Sequence, residues 1–323
     1  MGFGQEMRKN GRKSLGILVV DRLCSVLGLL VAVATFLGFL GKLHWTLDMF
    51  SHFRVQYFQF CLILIGVSLW VRNYKRGLAL GLVAVLNYAF VLPFYFGGPS
   101  PADGQTVRAM LMNLNAANGN TALVLDVLEK FDPDFVLLEE VTPKWADKPE
   151  PLATRFPYKV SEPRGDCFGI LFLSKVPLSN SRVVSLGSEA PTIITDVRLP
   201  QGTLSLIGTH PPPPVGAANA RARNEQLAAL AGTIREQQHP VLLIGDLNTS
   251  PWSPYFSQLL KESGLRNSMK GFGFQPSWPV ENPLMRIPID HMLHSPEITV
   301  HQRGIGPEIG SDHLPLIVDF SVQ

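Results

Sequence analysis

Cysteine is scarce in this chain: 323 residues contain three, Cys24, Cys61 and Cys167. The first two lie in apolar runs, so the polar part holds a single thiol, no disulfide of its own and no CxxC metal knuckle. All three read as small buried hydrophobes. Other signatures are missing as well. The absence of HExxH removes zincin-type proteases; of a Walker lysine loop, P-loop nucleotide hydrolysis; of GxSxG, the hydrolase nucleophile elbow; and of GxGxxG after a strand, dinucleotide binding. There is no internal repeat, and no low-complexity tract beyond a short run of prolines. Charge is sparse at 17% and unevenly placed. Residues 1–103 carry ten basic and four acidic side chains, which leaves 18 bases and 22 acids for the remainder. The formal net charge of +2 therefore hides a basic N-terminal part and a mildly acidic C-terminal part. A domain that grips long nucleic acid normally offers a basic face, and the acidic balance argues against such a grip.

What fills the first third is apolar sequence. Leu23–Leu40, Val55–Val71 and Gly77–Phe96 are three runs near the span of a hydrocarbon core, the last interrupted only by Asn87 and Pro93. A cleaved signal peptide has one such run, so three predict a membrane anchor over residues 1–97 with spans near 23–40, 55–71 and 77–96. Basic residues mark the inside: Arg8, Lys9, Arg12 and Lys13 precede the first run, and Arg72, Lys75 and Arg76 separate the second from the third. The first loop carries only Lys42 and Arg54. The expectation is a multi-pass protein of the cell inner membrane whose C-terminal part, after three crossings, faces the periplasm or the outside. Residues 98–106, opening on Gly98-Pro99-Ser100-Pro101, read as a linker.

From 107 to 323 short apolar strands alternate with amphipathic helices. The stretch that organises this part is Val241-Leu242-Leu243-Ile244-Gly245-Asp246-Leu247-Asn248. Four apolar residues read as a buried strand, Gly245 as the turn that follows, and Asp246 and Asn248 as side chains two apart that enter one pocket. Strands are also expected at Val107–Leu114, Phe135–Leu138, Phe168–Leu173, Thr192–Leu199, Thr203–Gly208, Ile287–Ile289 and Leu314–Val318. Helices are expected at 121–131, 221–235 and 252–262. The strand ends carry polar groups: Asn113 and Asn115, Glu139 and Glu140, His210, Asp290-His291 and Asp312-His313. Of the two adjacent glutamates, only one can face a pocket. His210, followed by four prolines, reads in isolation as a surface residue. Carboxylates beside carboxamides suit a hard, oxygen-preferring cation such as Mg²⁺, with Mn²⁺ as the alternative; zinc would call for more histidine or cysteine. Such an ion, an imidazole and carboxamides fit water attack on a phosphate ester.

The set Asn115, Leu138-Glu139-Glu140-Val141, Gly245-Asp246-Leu247-Asn248, Ile289-Asp290-His291 and Ser311-Asp312-His313 resembles the endonuclease/exonuclease/phosphatase superfamily, whose fold is DNase I-like. Phe168-Gly169-Ile170, Leu173-Ser174-Lys175-Val176-Pro177 and Gly208-Thr209-His210 look like its bacterial membrane-anchored branch. The resemblance covers about two-thirds of the chain, from Val107 onward. It implies an α/β (α+β) fold of four layers, two stacked β-sheets flanked by helices, with the site between the sheets at one end. It also implies roles. Glu140 would hold the metal, with Asp312 near it or near His313; Asp246 would orient or activate the water; and Asn248 with Asn115 or Asn113 would bind phosphate or steady the site. His313 would stabilise the transition state, His210 would act on the phosphate or leaving group, and Asp290 would orient a histidine. The expected activity is hydrolysis of phosphodiesters, with a phospholipid headgroup, nucleic acid or small diester as substrate and no protein partner inferable. An extracytoplasmic nuclease and a non-catalytic membrane receptor for a phosphorylated ligand are the alternatives.

Overall fold

The computed structural model describes residues 15–98, 106–146 and 150–323. The basic residues Arg8, Lys9, Arg12 and Lys13 and most of the expected linker lie outside the described residues. Helix α1 spans Leu15–Leu37, a short α2 spans Trp45–Met49, α3 spans Arg54–Trp70 and α4 spans Tyr74–Val91. With their flanking turns, three segments (Leu15–Leu40, Trp45–Trp70 and Tyr74–Tyr95) are long and apolar enough to cross a membrane. Outward positions such as Leu29, Ile63, Leu82 and Val85 are apolar and exposed, as a lipid-facing bundle requires. Helix α1 starts ahead of the uncharged run and takes in Asp21 and Arg22, because Asp21 pairs with Arg76 at 2.8 Å. Helix α4 also starts early, at Tyr74, capped by Asn73, whose side chain accepts from the Arg76 N–H. The stretch between the first two spans is structured as α2 and 3₁₀ turns.

Among the described residues twelve strands follow: β1 Val107–Asn113, β2 Phe135–Glu139, β3 Tyr158–Glu162, β4 Ile170–Ser174, β5 Leu178–Ser185, β6 Pro191–Leu199, β7 Gly202–Thr209, β8 Val241–Asp246, β9 Arg266–Asn267, β10 Asp290–His294, β11 Ile298–Ile305 and β12 Leu316–Val322. The helices are α5 Thr121–Phe131, α6 Pro143–Ala146, α7 Glu150–Arg155, α8 Ala217–Arg235 and α9 Pro254–Ser263. One sheet has the order β11-β12-β1-β2-β4-β3 and the other β5-β6-β7-β8-β10-β9. Each contains one parallel pair, β1 with β2 and β7 with β8. Ala109, Leu111, Phe135, Leu137, Leu206, Ile244 and Phe320 fill the layer between the sheets. Helix α5 covers the outer face of the first sheet through Val124, Val127 and Leu128, while α8 and α9 cover the second. The result is the four-layer sandwich with three long apolar helices ahead of it.

Two expectations need correction. Ile287–Ile289 is not a strand, since β10 begins at Asp290 and runs antiparallel to β8 with Asp290 opposite Asp246. Its polar residues thus stand at a strand start, yet meet the end of β8. Gly245 is not a turn either; it lies inside β8. A Cβ there would come 1.9 Å from the Thr209 carbonyl oxygen and 3.1 Å from Glu139 Oε1. Glycine is required for close approach rather than for backbone freedom.

The N-terminal helices and the sandwich are packed together. The Asp48 carboxylate meets the Arg223 guanidinium at 2.6 Å, both side chains being fully buried. Ser253 also donates to Asp48, and His52 Nδ1 lies 2.8 Å from Ser250 Oγ. Gln56 donates to the Arg286 carbonyl, Trp252 Nε1 to the Phe90 carbonyl, and the Gly271 and Gly273 N–H groups to the Phe94 carbonyl. All these contacts involve the end of the bundle opposite the Asp21–Arg76 pair.

Candidate active site

Parallel strands end on the same side, so β1, β2, β7 and β8 deliver their C-terminal residues to one edge between the sheets. Asn113 closes β1 beside Glu139 of β2, His210 follows β7, and Asp246 ends β8. The start of β10 adds Asp290, and the loop before β12 adds Asp312 and His313. Three of the six non-glycine residues with positive φ among the described residues stand here: Asn115 at 57°, Glu140 at 58° and Asn248 at 49°. Left-handed backbone is uncommon outside glycine and concentrates where function imposes it.

The side chains form one connected group. His313 Nδ1 lies 2.9 Å from Asp290 Oδ2, which also accepts a short bond from Ser277. His313 Nε2 and His210 Nε2 approach Asp246 Oδ2 from two sides, at 3.7 Å and 3.6 Å. Asn113 Nδ2 lies 3.1 Å from Glu140 Oε1 and 3.5 Å from Asp246 Oδ2, and the Asn113 Oδ1 accepts from the Asn115 N–H. Asn115 donates to Asp312 Oδ1 at 2.8 Å, and Trp278 Nε1 donates to Asp312 Oδ2 at 3.0 Å. Asn248 turns back, its N–H donating to Asp246 Oδ1 and its amide to the Pro211 carbonyl. Every residue assigned a site role from the sequence is in this group, both Asn113 and Asn115 included, whereas the His291 ring lies against the Thr249 carbonyl and the Phe256 ring. His210 is 3% exposed, contrary to the reading of that residue in isolation. Pro213 and Pro214 after it line the pocket, and the Phe168 ring packs 5.9 Å from the imidazole.

Sequence reasoning undervalued Glu139, which is fully buried and accepts the Asp246 N–H through both oxygens. Strand parity signals it: Phe135 and Leu137 of the same strand lie between the sheets, and Glu139 continues that row. Ser277 and Trp278 carry no comparable signal, since they come from an irregular loop.

The electrostatics follow from crowding several carboxylates in a closed space. Burial, reinforced by the Asp246 and Asp290 charges, holds Glu139 well above the usual carboxylate range. Burial and the Asp290 charge likewise push Asp246 upward. Burial alone would lower His313, but Asp290 and Asp246 outweigh it and raise the imidazole to about 10. Burial, together with the His313 charge, lowers His210 to about 4, which leaves a neutral ring. Asp246, Asp290 and His313 each offer a ligand atom to one point, all within 4.8 Å of one another. Asp290 is already engaged by His313 and Ser277. The oxygens of Glu140, with Asn113 and Asp246 beside them, fit a hard cation better. Its charge would offset the carboxylate excess.

Residues 110–313 match the model of the Endonuclease/Exonuclease/phosphatase family. Among solved structures, TDP2 of D. rerio complexed with single strand DNA product aligns with a TM-score of 0.58 at 17% identity, over 68% of this chain and 100% of that one. The human Nocturnin catalytic domain with bound sulfate anion gives 0.57 at 19% identity over 68% and 95%. An endonuclease/exonuclease/phosphatase from Beutenbergia cavernae DSM 12333 gives 0.53 at 21% over 68% and 72%. At these identities the three show a shared fold. No curated protein matches the chain. The matched segment runs from β1 to His313 and takes in the whole polar cluster, and on that extent the chain belongs to the Endonuclease/Exonuclease/phosphatase family.

Proposed function

We propose that the chain is a membrane-anchored, divalent-metal-dependent phosphodiester hydrolase. The observation that carries this reading is the arrangement around Asp246 Oδ2. A paired His313–Asp290 stands on one side, His210 on another, and Asn113 with Glu140 on a third. Glu140, with Asn113 or Asp246 beside it, would hold Mg²⁺ or Mn²⁺, while Asp312, whose two oxygens accept from Asn115 and Trp278, would steady the Asn115 loop next to it. The bound ion would withdraw charge from the phosphate oxygens and favour a hydroxide-like water.

The remaining chemistry belongs to side chains. Asp246 orients the attacking water and takes its proton. The water oxygen bonds to phosphorus as the opposite P–O bond breaks, and the leaving oxygen is protonated from solvent. His313, kept cationic by Asp290, faces the negative charge that builds on the phosphoryl oxygens. Neutral His210 donates a hydrogen bond to the phosphate, and Asn248 and Asn115 hold the loops that shape the pocket. The three apolar segments support the membrane-anchored branch of the family. Arg72, Lys75 and Arg76 lie at the end away from the sandwich, which supports a periplasmic or extracellular catalytic face in an inner-membrane protein.

The test is hydrolysis of bis(p-nitrophenyl) phosphate and p-nitrophenyl phosphate by the detergent-solubilised full chain, with Mg²⁺ or EDTA. Metal-dependent diester cleavage that His313→Ala lowers by at least about 100-fold supports the reading. Preference for the monoester points to a phosphatase. Tight binding without turnover supports the receptor alternative, and plasmid nicking supports the nuclease.

A further inference from the structure

The catalytic cluster opens into a cavity of about 360 Å³ whose walls have two origins. One wall is Glu140, His210, Asp246 and His313. The other includes Met49, His52 and Phe53, and these belong to Trp45–Trp70, one of the segments able to cross a membrane. Val215, Ile287 and Ile289 continue that side. None of the described residues lining the cavity is lysine or arginine. A nucleic acid strand carries its phosphates in series and is held mainly by basic side chains, so this cavity is poorly made for one. It is made for one phosphate joined to an apolar body. The loops beside it are dressed accordingly: Val215 is 77% exposed and Leu284 78%, and Gln56 at the start of α3 fixes the second loop through the Arg286 carbonyl. Exposed apolar side chains at the foot of apolar helices suit the boundary between headgroups and acyl chains.

We propose that the substrate is a membrane lipid phosphodiester. Its phosphate lies at Asp246 and His313, while its acyl-bearing portion rests on Met49, Phe53 and Val215 and continues into the bilayer. The anchor is then part of the substrate site as well as a tether. Water attack forms one P–O bond and breaks the ester on one side of phosphorus. The products are diacylglycerol with a headgroup phosphate, or phosphatidate with a headgroup alcohol, the leaving oxygen regaining the proton that water gives up. The inference rests on the phosphodiesterase reading above, and its test separates the two.

The full chain in mixed micelles is given phosphatidylcholine, phosphatidylethanolamine and phosphatidylglycerol, with bis(p-nitrophenyl) phosphate and a thymidine oligonucleotide beside them. The expected result is a kcat/KM for one of the lipids at least about 100-fold above the soluble diester, because remote apolar contacts add binding energy. Phe53→Ser and Val215→Asp should each lower the lipid-to-soluble ratio by about tenfold, mainly through KM. Val215 is exposed, so its replacement does not endanger folding. Cleavage of the soluble diester with no lipid preference, a ratio that neither variant moves, or preference for the oligonucleotide would overturn the lipid inference and leave the phosphodiesterase reading intact. Turnover of none of them, with Mg²⁺ present and the protein folded, would overturn both.

Discussion

Replacing Asp48 tests whether the helices and the sandwich are one body. Its carboxylate meets Arg223 at 2.6 Å with neither side chain exposed, and Arg223 in turn donates to the Asn248 carbonyl at 3.0 Å. In Asp48→Ala the guanidinium is left closed off from water and without its counter-ion. Breaking one side of a buried pair costs about 3–5 kcal/mol, far more than losing a surface ion pair. For a unit of this size each kcal/mol lowers Tm by about 2–4 °C, so the melting point should fall by about 6–20 °C. Tryptophan fluorescence of the purified full chain in detergent reads the shift. The double variant Asp48→Leu, Arg223→Met removes both charges together and should recover most of the loss, giving a coupling energy of at least about 2 kcal/mol in the cycle. A single-variant cost below about 1 kcal/mol, or effects of the two singles that simply add, would refute the docking of the two parts through this pair.

Other changes read the site itself. Gly245→Ala should reduce folded yield sharply, since the added methyl would stand 1.9 Å from the Thr209 carbonyl; normal expression and melting would contradict that contact. Asp290→Asn should lower kcat for the diester by about 100- to 10,000-fold with little change in KM, as expected where a carboxylate orients and charges a histidine. An unchanged kcat would remove Asp290 from the mechanism. Glu140→Gln should weaken Mg²⁺ activation by roughly tenfold or more, read by metal titration of the rate, whereas a stronger effect from Ser277→Ala would move the ion toward Asp290. A reporter fused after Gln323 should behave as extracytoplasmic, and cytoplasmic behaviour would reverse the proposed orientation.

Much of the fold was legible in the sequence because strands buried on both faces are continuous apolar runs. Phe135–Leu138 and Val241–Ile244 announce themselves in this way, and polar residues at their ends mark the site. Edge strands do not. Most of β5 faces solvent and carries polar residues, and β11 contains a bulge between Val300 and Gln302, so neither shows a clean period. His210 was misjudged because its burial comes from residues distant in sequence, such as Phe168, whose ring centre lies 5.9 Å away. The part played by the N-terminal helices is the least legible of all. Met49, His52 and Phe53 look like the start of an apolar helix, and nothing local reveals that they wall the active site. That contact joins residues nearly 200 apart, as in His52 with Ser250.

The central claim is that water attacks phosphorus in a reaction that needs both the ion and Asp246. The direct measurement is hydrolysis of bis(p-nitrophenyl) phosphate by the full chain in H₂¹⁸O, followed by mass analysis of the phosphomonoester. With Mg²⁺ the label should appear in the phosphate group at the rate of turnover, and either EDTA or Asp246→Asn should abolish it. Unlabelled product, or label formed at an undiminished rate with EDTA or in Asp246→Asn, would contradict the account.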